Sequence, residues 1–389
     1  MVKNVFLYLF LLTLILSACL LGCVRKEIAV VANNVTLNKN DLTLVVGADE
    51  TLIATIEPDN AVKNLIWSSS KKEVANVDQN GKVTAIGAGS ATVSVTTADG
   101  NKTATCNVTV TAPLPPGSFT ENFSSPVSDY FNIRQRAGDD RYSLGIASSS
   151  EPSTKILLFK MDPDDPAGPG IGIGISSKEY THFGTYSARI KTPDARTIQP
   201  KVGAVVGYFT YDMDSATGCS EIDFEWLIAD PRIIYIGTYT GPESNRQRIG
   251  REINLATGEI IKTIYRKEGT PIQPNKPLTG AQCMPSSITP IENYNAAAQF
   301  YVYGFDWYPD RLTWWIIHPD TNEKIVLWDY SGTTPAGFTG IPTHHARYRM
   351  NFWHTDSWPV VTVPNSIERP EHRFEVEIDW MSYTPFITP

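Results

Sequence analysis

Eight residues, Ser220-Glu221-Ile222-Asp223-Phe224-Glu225-Trp226-Leu227, constrain the chain more than any other stretch. Acids fall at every second position, with large apolar residues between them. In a β-strand successive side chains point to opposite faces, so Glu221, Asp223 and Glu225 share one face. Ile222, Phe224 and Trp226 take the other and anchor the strand in a core. Three carboxylates in a row repel one another and lose solvation, which costs stability, so the pattern belongs where it serves chemistry. At roughly 3.3 Å per residue, the Cα atoms of Glu221 and Glu225 lie about 13 Å apart. With a side-chain reach of roughly 4 Å each, carboxyl groups leaning together stand about 5 Å apart. That separation suits a retaining glycosidase, roughly 5–5.5 Å, and falls short of the roughly 6.5–9.5 Å of an inverting one.

The chain has 389 residues and a formal net charge of −8. This length allows two or three domains and one sizeable core. The acidic balance argues against nucleic acid or an anionic membrane surface as the main partner, and a monomer is expected. Long helical periodicity is absent and polar, Thr/Ser/Asn-rich alternating segments dominate, so the fold class is all-β.

Lys3 precedes an apolar run from Val5 to Leu16, too short for a comfortable membrane span. Leu16-Ser17-Ala18-Cys19 and Leu20-Leu21-Gly22-Cys23 then resemble bacterial lipoprotein processing sites. Residues 1–22 are read as signal peptide and anchor region, with Cys19 (or Cys23) lipidated. Cys19 is preferred because Ser-Ala precedes it and the apolar run ends there. The expectation is an exported protein, lipid-anchored at the bacterial cell surface or envelope, with the membrane as a partner through that anchor. The other cysteines, Cys106, Cys219 and Cys283, show no metal-ligand spacing. Cys219 and Cys283 are open to pairing in an oxidising compartment, and Cys106 reads as a small buried residue.

Residues 29–112 read as short strands at regular spacing, with turns at Asp59-Asn60, Asn80-Gly81 and Asp99-Gly100. That density implies a β-sandwich. Trp67-Ser68-Ser69-Ser70, Val74-Ala75-Asn76-Val77-Asp78, Gly81-Lys82-Val83-Thr84-Ala85 and Gly87-Ala88-Gly89-Ser90-Ala91-Thr92-Val93 are similar to the bacterial immunoglobulin-like group 2 domain. Trp67 then belongs to the core. No constellation suited to catalysis occurs here, so the unit is read as a spacer, with adhesion to a polysaccharide as the sharper alternative. A Pro-rich linker, 113–118, ends it.

Residues 119–389 contain many alternating stretches, which point to a large two-sheet sandwich or jelly roll. Gly168-Pro169-Gly170-Ile171-Gly172-Ile173-Gly174 lacks the helix a nucleotide loop needs and reads as a glycine-rich strand or turn. His344-His345 has no third ligand at metal spacing.

Phe183 to Lys191, Gly207 to Tyr211 and Glu221-Ile222-Asp223-Phe224-Glu225 resemble glycoside hydrolase family 16. Tyr303 to Trp315, Met350-Asn351-Phe352-Trp353 and Glu377 to Thr384 continue the likeness in the family's order. The resemblance implies a concanavalin-like β-jelly roll with the acid strand on its concave face. It implies Glu221 as nucleophile, Glu225 as general acid/base and Asp223 as the group tuning both. Strand parity puts Asn351 and Trp353 on one face, where the indole would stack on a sugar and the amide would bond hydroxyls. Tyr239 and Trp358 are further substrate-binding candidates. No cofactor is required for catalysis. Asp379 matches a position that supplies a structural calcium ligand in lichenase-like members.

Those members carry Trp two positions before the first Glu and Asp directly before it, where this chain has Cys219 and Ser220. The segment 241–299 is long and reads as a loop over the cleft with an added hairpin. The expected function is a retaining endo-β-glycanase acting on β-1,3- or mixed-linked β-glucan as its polysaccharide partner. The alternatives are a transglycosylase, a galactan (agar or carrageenan) hydrolase, or a non-catalytic carbohydrate-binding lipoprotein.

Overall fold

Strands form almost everywhere the apolar residues alternate. The structure is a computed structural model and describes residues 30–98, 101–111, 117–134, 140–163, 165, 172–194, 204–214, 217–267, 273–354 and 372–386. The chain divides into two compact units, Met1–Pro113 and Leu114–Pro389.

The first unit contains β1 (Asn34–Leu37), β2 (Asp41–Val45), β3 (Asp49–Thr51), β4 (Ala54–Glu57), β5 (Leu65–Ser69), β6 (Ala75–Val77), β7 (Lys82–Ala85), β8 (Gly89–Thr97) and β9 (Thr103–Thr111). It is an Ig-like sandwich. One sheet runs β2-β9-β8-β5 and another β3-β7-β6, while β1 pairs with β4. In β8, Ala91, Val93, Val95 and Thr97 are buried while the residues between them face outward. Trp67 is in this core, as is Cys106. Gly81 (φ +82°) permits the Asn80-Gly81 turn, since a Cβ there would sit 2.5 Å from the Leu52 carbonyl and 2.8 Å from the Trp67 ring.

The second unit contains β10 (Phe119–Glu121), β11 (Phe131–Arg134), β12 (Tyr142–Ala147), β13 (Lys155–Met161), β14 (Ile173–Ser177), β15 (Gly184–Lys191), β16 (Ala204–Asp214), β17 (Gly218–Leu227), β18 (Ile233–Gly241), β19 (Gln247–Asn254), β20 (Glu259–Lys267), β21 (Lys276–Pro277), β22 (Tyr301–Trp307), β23 (Arg311–Ile317), β24 (Lys324–Ser331), β25 (Arg347–His354) and β26 (Phe374–Pro385). It is a jelly roll of two antiparallel sheets. One runs β11-β14-β25-β16-β17-β18-β19-β20-β21, and the other β12-β13-β26-β15-β22-β23-β24 with β10 also on β26.

The acid strand is β17, and its apolar face joins the sheets. Ile222, Phe224 and Trp226 are buried against the opposite sheet, with the Trp226 and Tyr303 rings 4.8 Å apart, edge to face. Burying each such side chain contributes about 1.5–3 kcal/mol. From the opposite sheet, Trp314 Nε1 donates to the Asp223 carbonyl at 3.1 Å, which fixes the strand's height over the core.

Two expectations need correction. The segment 241–299 does hold a hairpin, turning at Thr257-Gly258. Its strands β19 and β20, however, extend the acid-bearing sheet beyond β18. Strand alternation puts one of Trp314 and Trp315 on the surface, yet both are buried. Trp315 lies against Gly304, where a Cβ would be 2.3 Å from its ring, and Lys324 Nζ sits 4.4 Å above it.

Candidate active site

The ladder on both sides of β17 is unbroken around the acids, so neighbouring strands set each acid's surroundings by register. Glu221 lies between Tyr211 of β16 and Tyr239 of β18, Asp223 between Phe209 and Gly237, and Glu225 between Gly207 and Tyr235. Asp223 is buried, while Glu221 and Glu225 are half-buried. Tyr239, one of the substrate-binding candidates, lies next to Glu221 in the ladder.

The row through Glu225 continues outward from Gly207 to Asn351 of β25. A Cβ at Gly207 would meet Asn351 Oδ1 at 2.5 Å, so this glycine gives the amide its place beside the acid row. Asn351 Oδ1 is buried and has no partner among the described residues. Trp353 shares that face one row further on, opposite Val205. Gly172 and Gly174 clear the way for these two side chains, because Cβ atoms there would stand 2.4 Å from Trp353 Cβ and 3.2 Å from Asn351 Cβ. Asn351, Trp353 and Tyr239 thus share the face of the acids. Trp358, Cys19 and Cys23 lie outside the described residues.

Burial sets the electrostatics. It pushes the Glu221 carboxyl up to about 7, against the pull of the Cys219 thiol and the Arg246, Arg349 and Arg248 guanidiniums. It pushes Glu225 up to about 8; Arg248 opposes the rise and Glu221 adds to it. Asp223 is raised well above the carboxylate range by burial and by the Glu221 and Glu225 charges, and its Oδ2 has no partner among the described residues.

Several of these groups escape a reading of the sequence. Cys219 occupies the acid face, and its Sγ donates to Glu221 Oε2 at 3.6 Å. The Arg349 guanidinium lies 4.8 Å from the Tyr211 ring, and Arg246 and Arg248 lie 5.8 Å and 5.2 Å from that of Tyr239. Arg248 Nε also donates to the Tyr235 hydroxyl at 2.8 Å. That phenol crosses two glycines, since a Cβ at Gly237 or Gly250 would stand 2.7 Å or 2.0 Å from it. Only the hairpin expected within 241–299 signalled this region.

The expected calcium ligand does not fit. Asp379 Oδ2 accepts from Arg189 Nη1 at 2.7 Å, and Arg189 also holds Glu151. A fixed guanidinium on that oxygen opposes a cation, and no group of three or more metal-ligating side chains occurs among the described residues. Cys219 and Cys283 do not pair; both are free thiols, one in β17 and one in the turn Gly280–Cys283.

Residues 31–108 match the profile described as "Bacterial Ig-like domain (group 2)", and residues 145–259, which include the whole acid motif, match "Glycosyl hydrolases family 16". An uncharacterized protein of Clostridium acetobutylicum is 40% identical over 116 residues, covering 28% of this chain and 12% of its own. The chain spans 36% of a second uncharacterized relative from that organism. Among solved structures, a Bacillus licheniformis beta-glucanase has 17% identity and a TM-score of 0.40, covering 69% of this chain and 99% of its own. The catalytic domain of an endo-1,3-beta-glucanase (laminarinase) from Thermotoga petrophila has 13% identity and a TM-score of 0.43, covering 71% and 98%.

Proposed function

We propose that the family 16 unit is a glycoside hydrolase that cleaves a β-linked polysaccharide internally with net retention. The observation carrying this reading is the single face of β17, on which Glu221 and Glu225 flank Asp223 within one unbroken ladder. Ionised Glu221 forms a bond to the anomeric carbon as Glu225 gives its proton to the departing glycosidic oxygen. The glycosyl-enzyme ester removes the Glu221 charge. Glu225, now a carboxylate, takes a proton from water as that water displaces Glu221 from the sugar. The places of Glu221 first and Glu225 last in the acid motif, which resembles that of family 16, support this division of roles. Asp223, protonated between them, keeps their mutual repulsion down. Asn351 and Trp353 bind the sugar on one side of the acids and Tyr239 on the other.

The resemblance in the acid motif favours a β-1,3- or mixed-linked β-glucan. With a sugar acceptor in place of water, the same steps would make a transglycosylase. The leader motif supports export and lipid anchoring at Cys19 (or Cys23), with the Ig-like unit as spacer.

The test is incubation of the purified protein with laminarin, lichenan, xyloglucan, agarose and carrageenan. One of them should release reducing ends whose first-formed anomer, read by proton NMR, is β. If none of the five is cleaved, the reading fails.

A further inference from the structure

Several arginines gather beside the acid row. Arg246, Arg248 and Arg349 all act on Glu221, and Arg266 lies opposite Arg248 in the ladder. Arg248 stands in the ladder row of Glu221, beyond Tyr239, in a chain of net charge −8. Arg248 is the best defined of them. Its Nε is fixed by the Tyr235 hydroxyl, and its guanidinium lies 4.8 Å and 5.2 Å from the Tyr235 and Tyr239 rings. Tyr235 in turn takes its place only because positions 237 and 250 are glycine. Among the described residues Arg248 has no ion pair and no protein acceptor for either Nη group.

We infer that Arg248 receives a negatively charged substituent of the polysaccharide, a sulfate ester or a carboxylate, on the sugar beside Glu221. A planar guanidinium matches either anion with two parallel hydrogen bonds. A neutral sugar offers it only hydroxyls, which leaves its Nη groups without a charged acceptor in a half-buried place. Tyr235 and Tyr239 hold the group on both sides, so little side-chain freedom is lost when the anion binds. The inference takes the cleft above as the glycan site but does not depend on the chemistry assigned to it.

The test measures binding to the full-length protein carrying Glu225→Gln, to stop turnover, by affinity electrophoresis. The probes are laminarin, carboxymethylated laminarin and sulfated laminarin, with agarose oligosaccharides and carrageenan oligosaccharides as a second backbone. On one backbone at least, a charged form should bind roughly tenfold or more tighter than its neutral counterpart at low salt, an advantage that shrinks as salt is added. The carboxymethyl and sulfate arms distinguish the two anions. Adding Arg248→Met, which keeps the stem against the tyrosine rings, should abolish most of the advantage and leave neutral binding within about twofold. If that variant does not fold, Arg248→Lys keeps the charge without the fork and should weaken charged binding severalfold.

Equal binding of charged and neutral forms would overturn the inference, as would an advantage that survives loss of Arg248. If the advantage holds while the wild-type protein cleaves none of these polymers, the hydrolase reading fails and the anion site stands.

Discussion

The two sheets of the second unit each carry a group of carboxylates, and the two groups are built in opposite ways. On the β26 sheet, Glu377 accepts from Ser148, Ser149 and Lys191, and Glu151 and Asp379 share Arg189. Glu377 lies below its ordinary value: burial pushes it up, but the two serines and Lys191 outweigh burial. Glu151 is lowered by Arg189. On β17, by contrast, Asp223 Oδ2 has no partner among the described residues and Glu221 has a weak thiol donor. Arg248 leans on the Tyr235 and Tyr239 rings and closes no ion pair with the acids. The first group is neutralised by its contacts, whereas the second is left available for a proton and a substrate. The same residue types thus serve stability on one sheet and chemistry on the other.

The largest effect expected from this contrast is on rate. Glu225→Gln should lower kcat by about 10²–10⁴-fold while the melting temperature holds or rises, because no strong partner is lost. A comparable loss of stability would put the β17 acids in the structural class. Glu377→Ala should do the reverse. It should cost about 1–3 kcal/mol in chemical denaturation, by stranding Lys191 and two serines, with kcat nearly unchanged.

The pH dependence of stability separates the groups further. Glu221 and Glu225 hold protons more tightly in the folded chain than at the ordinary value of 4.5, so the folded state binds more protons between about 4.5 and about 8. Their contribution is therefore greatest at low pH and is lost as pH rises through that window. Glu221→Gln should flatten part of this fall in thermal melts. Glu377, lowered from 4.5, contributes stability above that value and loses it as pH drops through its folded value, so Glu377→Gln should matter most at neutral pH. Activity should follow a bell whose limbs are displaced above the ordinary carboxylate range, because burial raises both Glu221 and Glu225.

The smallest effect concerns Cys219. Losing its donor in Cys219→Ala should move the acid limb of the kcat/KM profile upward by a few tenths of a pH unit, and Cys219→Ser should restore it. An unmoved limb in both variants would make Cys219 mere packing.

The acid strand was legible because its signal is local: period-two alternation assigns Glu221, Asp223 and Glu225 to one face without knowledge of any other strand. Asn351 and Trp353 were reached by the same parity on their own strand. What parity cannot supply is register between strands distant in sequence. That is why Arg248, Arg246 and Arg349 around Glu221 went unseen, and why Tyr235 gave no sign of crossing Gly237 and Gly250. The burial of Trp315 has the same origin, since the neighbouring Gly304 makes room for its ring. Asp379 shows the opposite hazard: its motif position suggested calcium, but Arg189, from a strand far away in sequence, takes the oxygen.

The division of roles between the two glutamates is tested most directly by azide rescue on an activated aryl β-glycoside. Glu221→Ala should yield the glycosyl azide of inverted configuration, since azide then enters the space left by the nucleophile. Glu225→Ala should yield the retained azide by intercepting the glycosyl-enzyme. The opposite pairing would contradict the account.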